Sequence, residues 1–241
     1  GMVSRGWGSL LKLMGSRVKL CVRLQEVKDG DGTTSNEIID NKEFKKIDVI
    51  VIDHHLSEIK LPNVLAIINP NRVDDISDYK QLAAVGVTFL FLMYLRKKLR
   101  EFNKFDEIKE PNLLSYLDLV ALGTVCDVVE LKRYNRFFVQ KGLELIHKRH
   151  HKGIAKLIDN SKISSSPTSQ DLGFIVGPQI NAASRIDDSS LASKLLISND
   201  IEQVESISRK LFLLNEKRKL IESQILDDAN NQAANQSNSN F

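Results

Sequence analysis

The sequence predicts an α/β fold in which a parallel sheet flanked by helices is followed by a mostly helical segment. Two observations carry that expectation. Asp48-Val-Ile-Val-Ile-Asp53 sets four β-branched residues in a row, the pattern of a strand buried on both faces, as in a parallel sheet covered by helices. The order of elements around it, strand, loop, helix, strand and then helices, is that of crossover-connected parallel strands.

The elements follow in turn. Val18 to Leu24 alternates apolar with basic or polar residues and reads as a strand. Asp29 to Asn36 is dense in turn formers, and 36–46 suits a short helix with Asn36 as N-cap. The Asp48–Asp53 strand runs directly into His54-His55, and Val64 to Ile68 gives a second apolar run stopped by Asn69-Pro70-Asn71. A helix is expected from about Tyr79 to Phe102 and another from Pro111 to Leu122, ahead of Gly123-Thr-Val-Cys-Asp127. Asn135 to His147 reads as helical. Gln170 to Ile175 opens a helix that Gly177-Pro178 is expected to break. Leu191 to Ser198 and Ile201 to about Asp228 are helical, and Ala229 to Phe241, rich in Asn, Gln, Ser and Ala, is expected to lack order.

The bulk properties exclude more than they identify. A chain of 241 residues with 42% hydrophobic residues can bury a real core. Its 34 Lys and Arg against 31 Asp and Glu give a net charge of only +3, so any case for nucleic acid must rest on local features. Cys21 and Cys126 form no C-x-x-C pair, which fits a reduced cytoplasmic protein without a disulfide framework. No apolar run reaches membrane-spanning length, and the first residues hold no signal-peptide core.

In open parallel sheets the ligand site lies beyond the carboxyl ends of the strands, and Asp53-His54-His55 stands there. Adjacent side chains at a strand end point to opposite sides, so one imidazole can face a metal while its neighbour faces a substrate; the other reading is a surface His pair. Asp127 is either a metal ligand or a helix N-cap. Asp29-Gly30-Asp31-Gly32 either binds a cation or makes a turn, and its spacing is not that of an EF-hand loop. Gly177 to Arg185 combines small residues with Asn181 and Arg185, which suits close approach to a phosphate or an ordinary helix-breaking loop. Lys141 to Lys152 is either a DNA-facing basic patch or a solvated face.

Together these pieces resemble the RecJ type of DHH-family phosphoesterase. Val49-Ile-Val-Ile-Asp53-His54-His55 is similar to the family's DHH motif. Asn69-Pro70 with Leu82 to Phe89, and Leu117 to Val129 with Asn135-Arg136, resemble the stretches that follow it. Asp171 to Phe174 with Gly177-Pro178, Asn181-Ala182-Ala183 and Arg185 resembles the G-P-R-x-N-A-x-G-R motif, and Asn215 and Arg218 fit the last helix. The resemblance covers about residues 32 to 228, in order.

It implies a binuclear Mn²⁺ or Mg²⁺ centre that hydrolyses single-stranded DNA from the 5′ end. By position it makes His54 and Asp127 metal ligands, with Asp31 or Asp29 as further candidates. Asp53 becomes a ligand or orients one, and His55 sits over the scissile phosphate as a catalytic group. Asn181, Arg185 and Arg136 hold substrate phosphates. It divides the chain into an N-terminal segment 1–28, a partial DHH catalytic domain 29–200, a long helix 201–228 and a tail 229–241.

The departures are specific. The family's first, Asp-rich D-x-D-x-D motif has no match upstream of Asp53, and Gly30 stands where the second motif, D-x-G, has its Asp. Gln179 replaces an Arg and Ser184 a Gly. No stretch matches the family's C-terminal G-G-H domain or its OB-type domain. The expectation is a piece of the catalytic core, weakly active or inactive alone, completed by another RecJ segment or by a homodimer. A phosphoesterase acting on small nucleotides and a catalytically silent module that binds nucleic acid or a partner are the alternatives.

Overall fold

The structure, a computed structural model, describes residues 18–22, 48–57, 59, 61–161, 163, 166–186 and 190–238, with 18–22, 48, 184–186 and 234–238 described by backbone alone. The expected helix over 36–46 and the Asp29–Gly32 turn lie outside the described residues. The chain forms two compact units, Gly1–Lys148 and Arg149–Phe241. The expected domain 29–200 therefore spans the boundary between them.

Among the described residues, the first unit holds three parallel strands, β1 (Val18–Val22), β2 (Asp48–Ile52) and β3 (Ala66–Ile68), in the order β1-β2-β3. β2 is central. Val49 to Ile52 are all buried, as a β-branched run covered on both faces requires. The register sets Ile50 against Ala66 and Ile52 against Ile68, so β2 and β3 end at the same edge of the sheet. One further ladder bond, Asp53 N–H to Ile68 O at 3.0 Å, closes the pairing.

Helix α1 (Ala84–Glu101) packs on β2. It starts five residues later than the apolar pattern suggests, because Asp78 to Gln81 form a turn, with Leu82 N–H donating to Tyr79 O. A 3₁₀ turn (Leu113–Tyr116) leads into α2 (Leu117–Cys126). The expected helix 111–122 is thus split and displaced. The consequence is that Asp127 caps the C-terminus of a helix, its N–H donating to Gly123 O and Val125 O, and does not act as an N-cap. Helix α3 (Arg133–His147) follows. Ile50, Ile52, Leu82, Phe89, Leu113, Leu117 and Phe138 form the common core, with the Phe89 and Phe138 rings edge to face at 5.4 Å.

α3 crosses α2 at backbone contact. A Cβ on Gly142 would stand 2.3 Å from both Ala121 Cβ and the Leu117 carbonyl oxygen. Gly123 likewise sits inside α2 against the Val85 side chain, and does not interrupt the helix.

The second unit is helical: α4 (Lys152–Asn160), α5 (Gly177–Ile186), α6 (Ser190–Ile197) and α7 (Ile201–Asn238). The helix expected to break at Gly177-Pro178 does not break. Thr168 caps it through a reciprocal bond pair with Asp171, Ser169–Asp171 forms its first turn, and Leu172–Val176 makes a π turn that continues into α5. Gly177 N–H bonds Leu172 O, five residues back. The wider turn makes room for the Pro178 ring and shifts the hydrogen-bond ladder past its missing N–H. α7 runs on to Asn238, ten residues beyond the expected Asp228, since the Asn, Gln, Ala and Ser stretch holds no Gly or Pro to stop it. Among the described residues no helix is long and apolar enough to cross a membrane.

Gly142→Ala is expected to destabilise the chain by about 1–3 kcal/mol in urea unfolding, because a backbone carbonyl cannot yield to the added methyl. Gly86→Ala is the control. Its Cβ would meet nothing closer than Leu82 Cδ2 at 3.4 Å, so the change should be neutral or stabilising by up to about 1 kcal/mol from helix propensity.

Candidate metal centre

The site begins where the sheet runs out. Past Asp53, the backbone N–H and C=O groups of His54 and His55 have no ladder partner, and a partly buried loop must find others. Three side chains supply them. Asp53 Oδ1 accepts from His54 N–H at 2.8 Å and from His55 N–H at 3.3 Å. Asn71 Nδ2 donates to His54 O at 2.6 Å, and Asn69 Nδ2 to His55 O at 2.9 Å. Asn69 Oδ1 in turn accepts from Asn71 N–H at 2.8 Å. The shared ending of β2 and β3 makes this possible, since it places residues 69–71 beside residues 53–55.

Asp53 Oδ1 also lies 2.7 Å from His55 Nδ1. A carboxylate oxygen only accepts, so Nδ1 carries the proton and Nε2 is the ring atom left for other chemistry. Burial alone would raise the Asp53 carboxyl. The bond from the His55 ring and the two backbone N–H bonds outweigh it, and the carboxyl lies below its ordinary 3.8.

His54 turns the other way. Its Nε2 stands 2.9 Å from Asp127 Oδ2, with 13% of the His54 side chain and 22% of the Asp127 side chain exposed. The bond to Asp127 raises the His54 imidazole above its ordinary 6.5, against the opposing effect of burial. The two imidazole centroids are 4.4 Å apart. One site thus gathers an imidazole–carboxylate pair and a second imidazole with 32% of its side chain exposed.

Asp127 is held at the end of α2, and Val128 after it has φ of 55°. A β-branched residue adopts this left-handed conformation only under constraint. Here it serves as the helix-terminating position, its N–H bonding Val125 O, and it reverses the chain directly after Asp127. On the other side of Asp127, burial, with the Asp127 charge second, pushes the Cys126 thiol up to about 11. At neutral pH it is a thiol and no candidate nucleophile.

Of the remaining expected residues, Arg136 and Asn181 have described side chains. Arg136 is exposed on the first turns of α3, and Asn181 is exposed on α5 in the second unit. Asp29, Asp31 and the Arg185 side chain lie outside the described residues. Among the described residues, no three His, Cys, Asp or Glu side chains converge on a metal position; His54 and Asp127 bring one nitrogen and one oxygen donor together. A carboxylate oxygen is a donor of the kind that Mn²⁺ and Mg²⁺ favour, and an imidazole nitrogen is a common donor to divalent transition metals. Asn69, Asn71 and Asn135 receive no site role from the sequence, although Asn69 and Asn135 stand in stretches that carry the resemblance. Asparagine after a strand reads as a turn former, and its partners are carbonyls distant in sequence.

The chain is similar in sequence and in fold to known proteins. Residues 27–124 match the DHH family, N-terminal domain. Residues 27–124 therefore carry the N-terminal domain of the DHH family. The single-stranded-DNA-specific exonuclease RecJ of Dickeya dadantii is 42% identical over 197 residues, which are 80% of this chain and 34% of that protein. RecJ of Escherichia coli is 42% identical over 200 residues, with the same shares. The chain therefore spans about a third of the length of these relatives. Among solved structures, an exonuclease RecJ bound to manganese superposes with a TM-score of 0.70 at 28% identity, over 91% of this chain and 52% of that one. RecJ of Thermus thermophilus in complex with Mn²⁺ gives 0.68 at 28% identity, over 92% and 31%.

The lowered Asp53 carboxyl has a consequence for acid stability. Its folded value lies below the unfolded one, so its contribution is complete above the ordinary carboxylate range and is lost as pH falls through the folded value. Asp53→Asn should lower Tm at pH 7 and flatten the decline of Tm below about pH 4, where wild type loses the same contribution. Thermal unfolding across about pH 2.5–7 checks both.

Proposed function

We propose that the chain forms part of a metal-dependent phosphodiesterase that removes nucleotides from the 5′ end of single-stranded DNA in the cytoplasm, in repair and recombination. The observation that carries the reading is the His54–Asp127 pair at the carboxyl end of β2, with Nε2 and Oδ2 2.9 Å apart. The names of the relatives support the choice of a single DNA strand as substrate.

In this reading His54 Nε2 and Asp127 Oδ2 are two ligands of a Mn²⁺ or Mg²⁺ ion, and Asp29 and Asp31 are candidates for others. The bound ion supplies an activated water and offsets phosphate charge. His55, with Nδ1–H fixed on Asp53, presents Nε2 to a phosphate oxygen and, when protonated, donates to the charge that develops there. Asp53 acts through His55 and the loop backbone. Asn181, Arg185 and Arg136 hold phosphates of the strand. A RecJ segment that carries the family's first acidic motif would complete the ligand set, and a homodimer is the other arrangement that could do so.

One observation favours a second reading, a catalytically silent module that binds single-stranded DNA: no third ligand joins His54 and Asp127 among the described residues.

Mn²⁺ calorimetry on wild type, His54→Ala and Asp127→Ala separates the two. The metal-site reading expects saturable binding that weakens at least about tenfold in each variant, the direct ligands being worth no less than the roughly 10- to 100-fold typical of outer partners. It also expects Mn²⁺-dependent release of mononucleotides from a 5′-labelled strand, faster when the complementing segment is added. Cleavage of a dinucleotide in preference to the long strand would point to small nucleotides as substrate. Salt-sensitive DNA binding that ignores Mn²⁺, with no cleavage, would leave the silent module.

A further inference from the structure

The His54 loop and the Asp127 loop are held to the same short piece of chain. Asn71 Nδ2 donates to His54 O at 2.6 Å and to Lys80 O at 3.0 Å. Asn135 Nδ2 donates to Gln81 O at 2.6 Å and to Glu130 O at 2.8 Å. Both carboxamides use their two N–H groups to bridge carbonyls, and every acceptor is a carbonyl oxygen. The N and O ends of both amides are therefore fixed by their surroundings. Lys80 and Gln81 are consecutive, so the two bridges share one stretch of backbone. A continuous path runs from His54 O through Asn71, Lys80, Gln81 and Asn135 to Glu130 O, three residues beyond Asp127.

We propose that Asn71 and Asn135 are positioning residues that together set the placement of His54 relative to Asp127, and through it the metal affinity of the site. The inference rests on the metal-site reading given above. The chemistry of Asn135 supports it. The residue is fully buried, and its Oδ1 has no donor. A leucine of similar volume would fill the space without that orphaned acceptor, so what asparagine brings is its two donors. Asn71 is placed likewise: β3 ends level with β2, and the Asn69–Asn71 turn delivers its amide to the carbonyl of the ligand residue itself.

The test uses the full chain with ¹⁵N-labelled histidine. There are five histidines, and His147, His150 and His151 serve as internal references for His54 and His55. Asn71→Ala and Asn135→Ala are expected to shift the imidazole signals of His54 while leaving the three references in place. Each should weaken Mn²⁺ binding about tenfold, as loss of an outer partner does, and the double variant should lose little more than either alone, since both act on one path. Asn71→Asp keeps the shape but removes both donors, and should behave as Asn71→Ala. It decides the question if Asn135→Ala does not fold. His54 signals that superimpose on wild type in folded Asn71→Ala and Asn71→Asp would overturn the proposal, as would equal movement of all five histidines, which would mark general loosening. Should wild type take up no Mn²⁺, the metal-site reading fails, while the imidazole signals still decide whether these asparagines place His54.

Discussion

The site depends on two parallel strands ending level. Because Ile52 and Ile68 are paired, the polypeptide leaves both strands at one edge, and the last ladder bond is spent on Asp53. From there on the backbone needs hydrogen-bond partners that secondary structure no longer offers. Asp53 takes the two histidine N–H groups, and Asn69 and Asn71 take the two carbonyls. A dipeptide so fully bonded has little freedom to turn. The positions of its imidazoles are thus constrained from the backbone side before anything binds.

Histidine and aspartate are used twice in this edge, with opposite purposes. Asp53 faces inward and fixes one tautomer of His55, and the bonds it accepts keep it ionised. Asp127 arrives from a distant helix end, and its bond to His54 favours the protonated imidazole. The first contact is local and could form in a short peptide. The second requires that β2 and α2 be packed in the same core, so the imidazole–carboxylate pair exists only in the folded unit.

How far the sequence discloses this follows from the same distinction. β2 and the Asp53-His54-His55 edge are legible because a run of four β-branched residues has few other uses. Asp127 is legible as a polar end to an apolar run, but its role as a helix C-cap is not. The apolar pattern over 111–122 hides the 3₁₀ turn that delays α2, and Gly123 reads as an interruption although it is a packing position against Val85. The asparagines are the hardest to see. The bond from Asn135 to Gln81 spans 54 residues, and nothing in the local pattern of either residue announces it. Likewise, Pro178 reads as a helix breaker because one-dimensional propensity has no knowledge of the π turn before it.

That π turn separates two properties of a helix that are usually tied. In a regular helix, the starting point fixes the compass bearing of every later side chain. One extra residue absorbed in Leu172–Val176 keeps the axis but swings all that follows by about 100°. Asn181 therefore faces where it does because of a miscount five residues upstream, and the Thr168 cap has no say in it. Removing a single residue from 172–176 would leave a well-formed helix with its Asn181 face pointed another way. A lineage could thus re-aim this surface by a one-codon deletion, with the helix itself preserved.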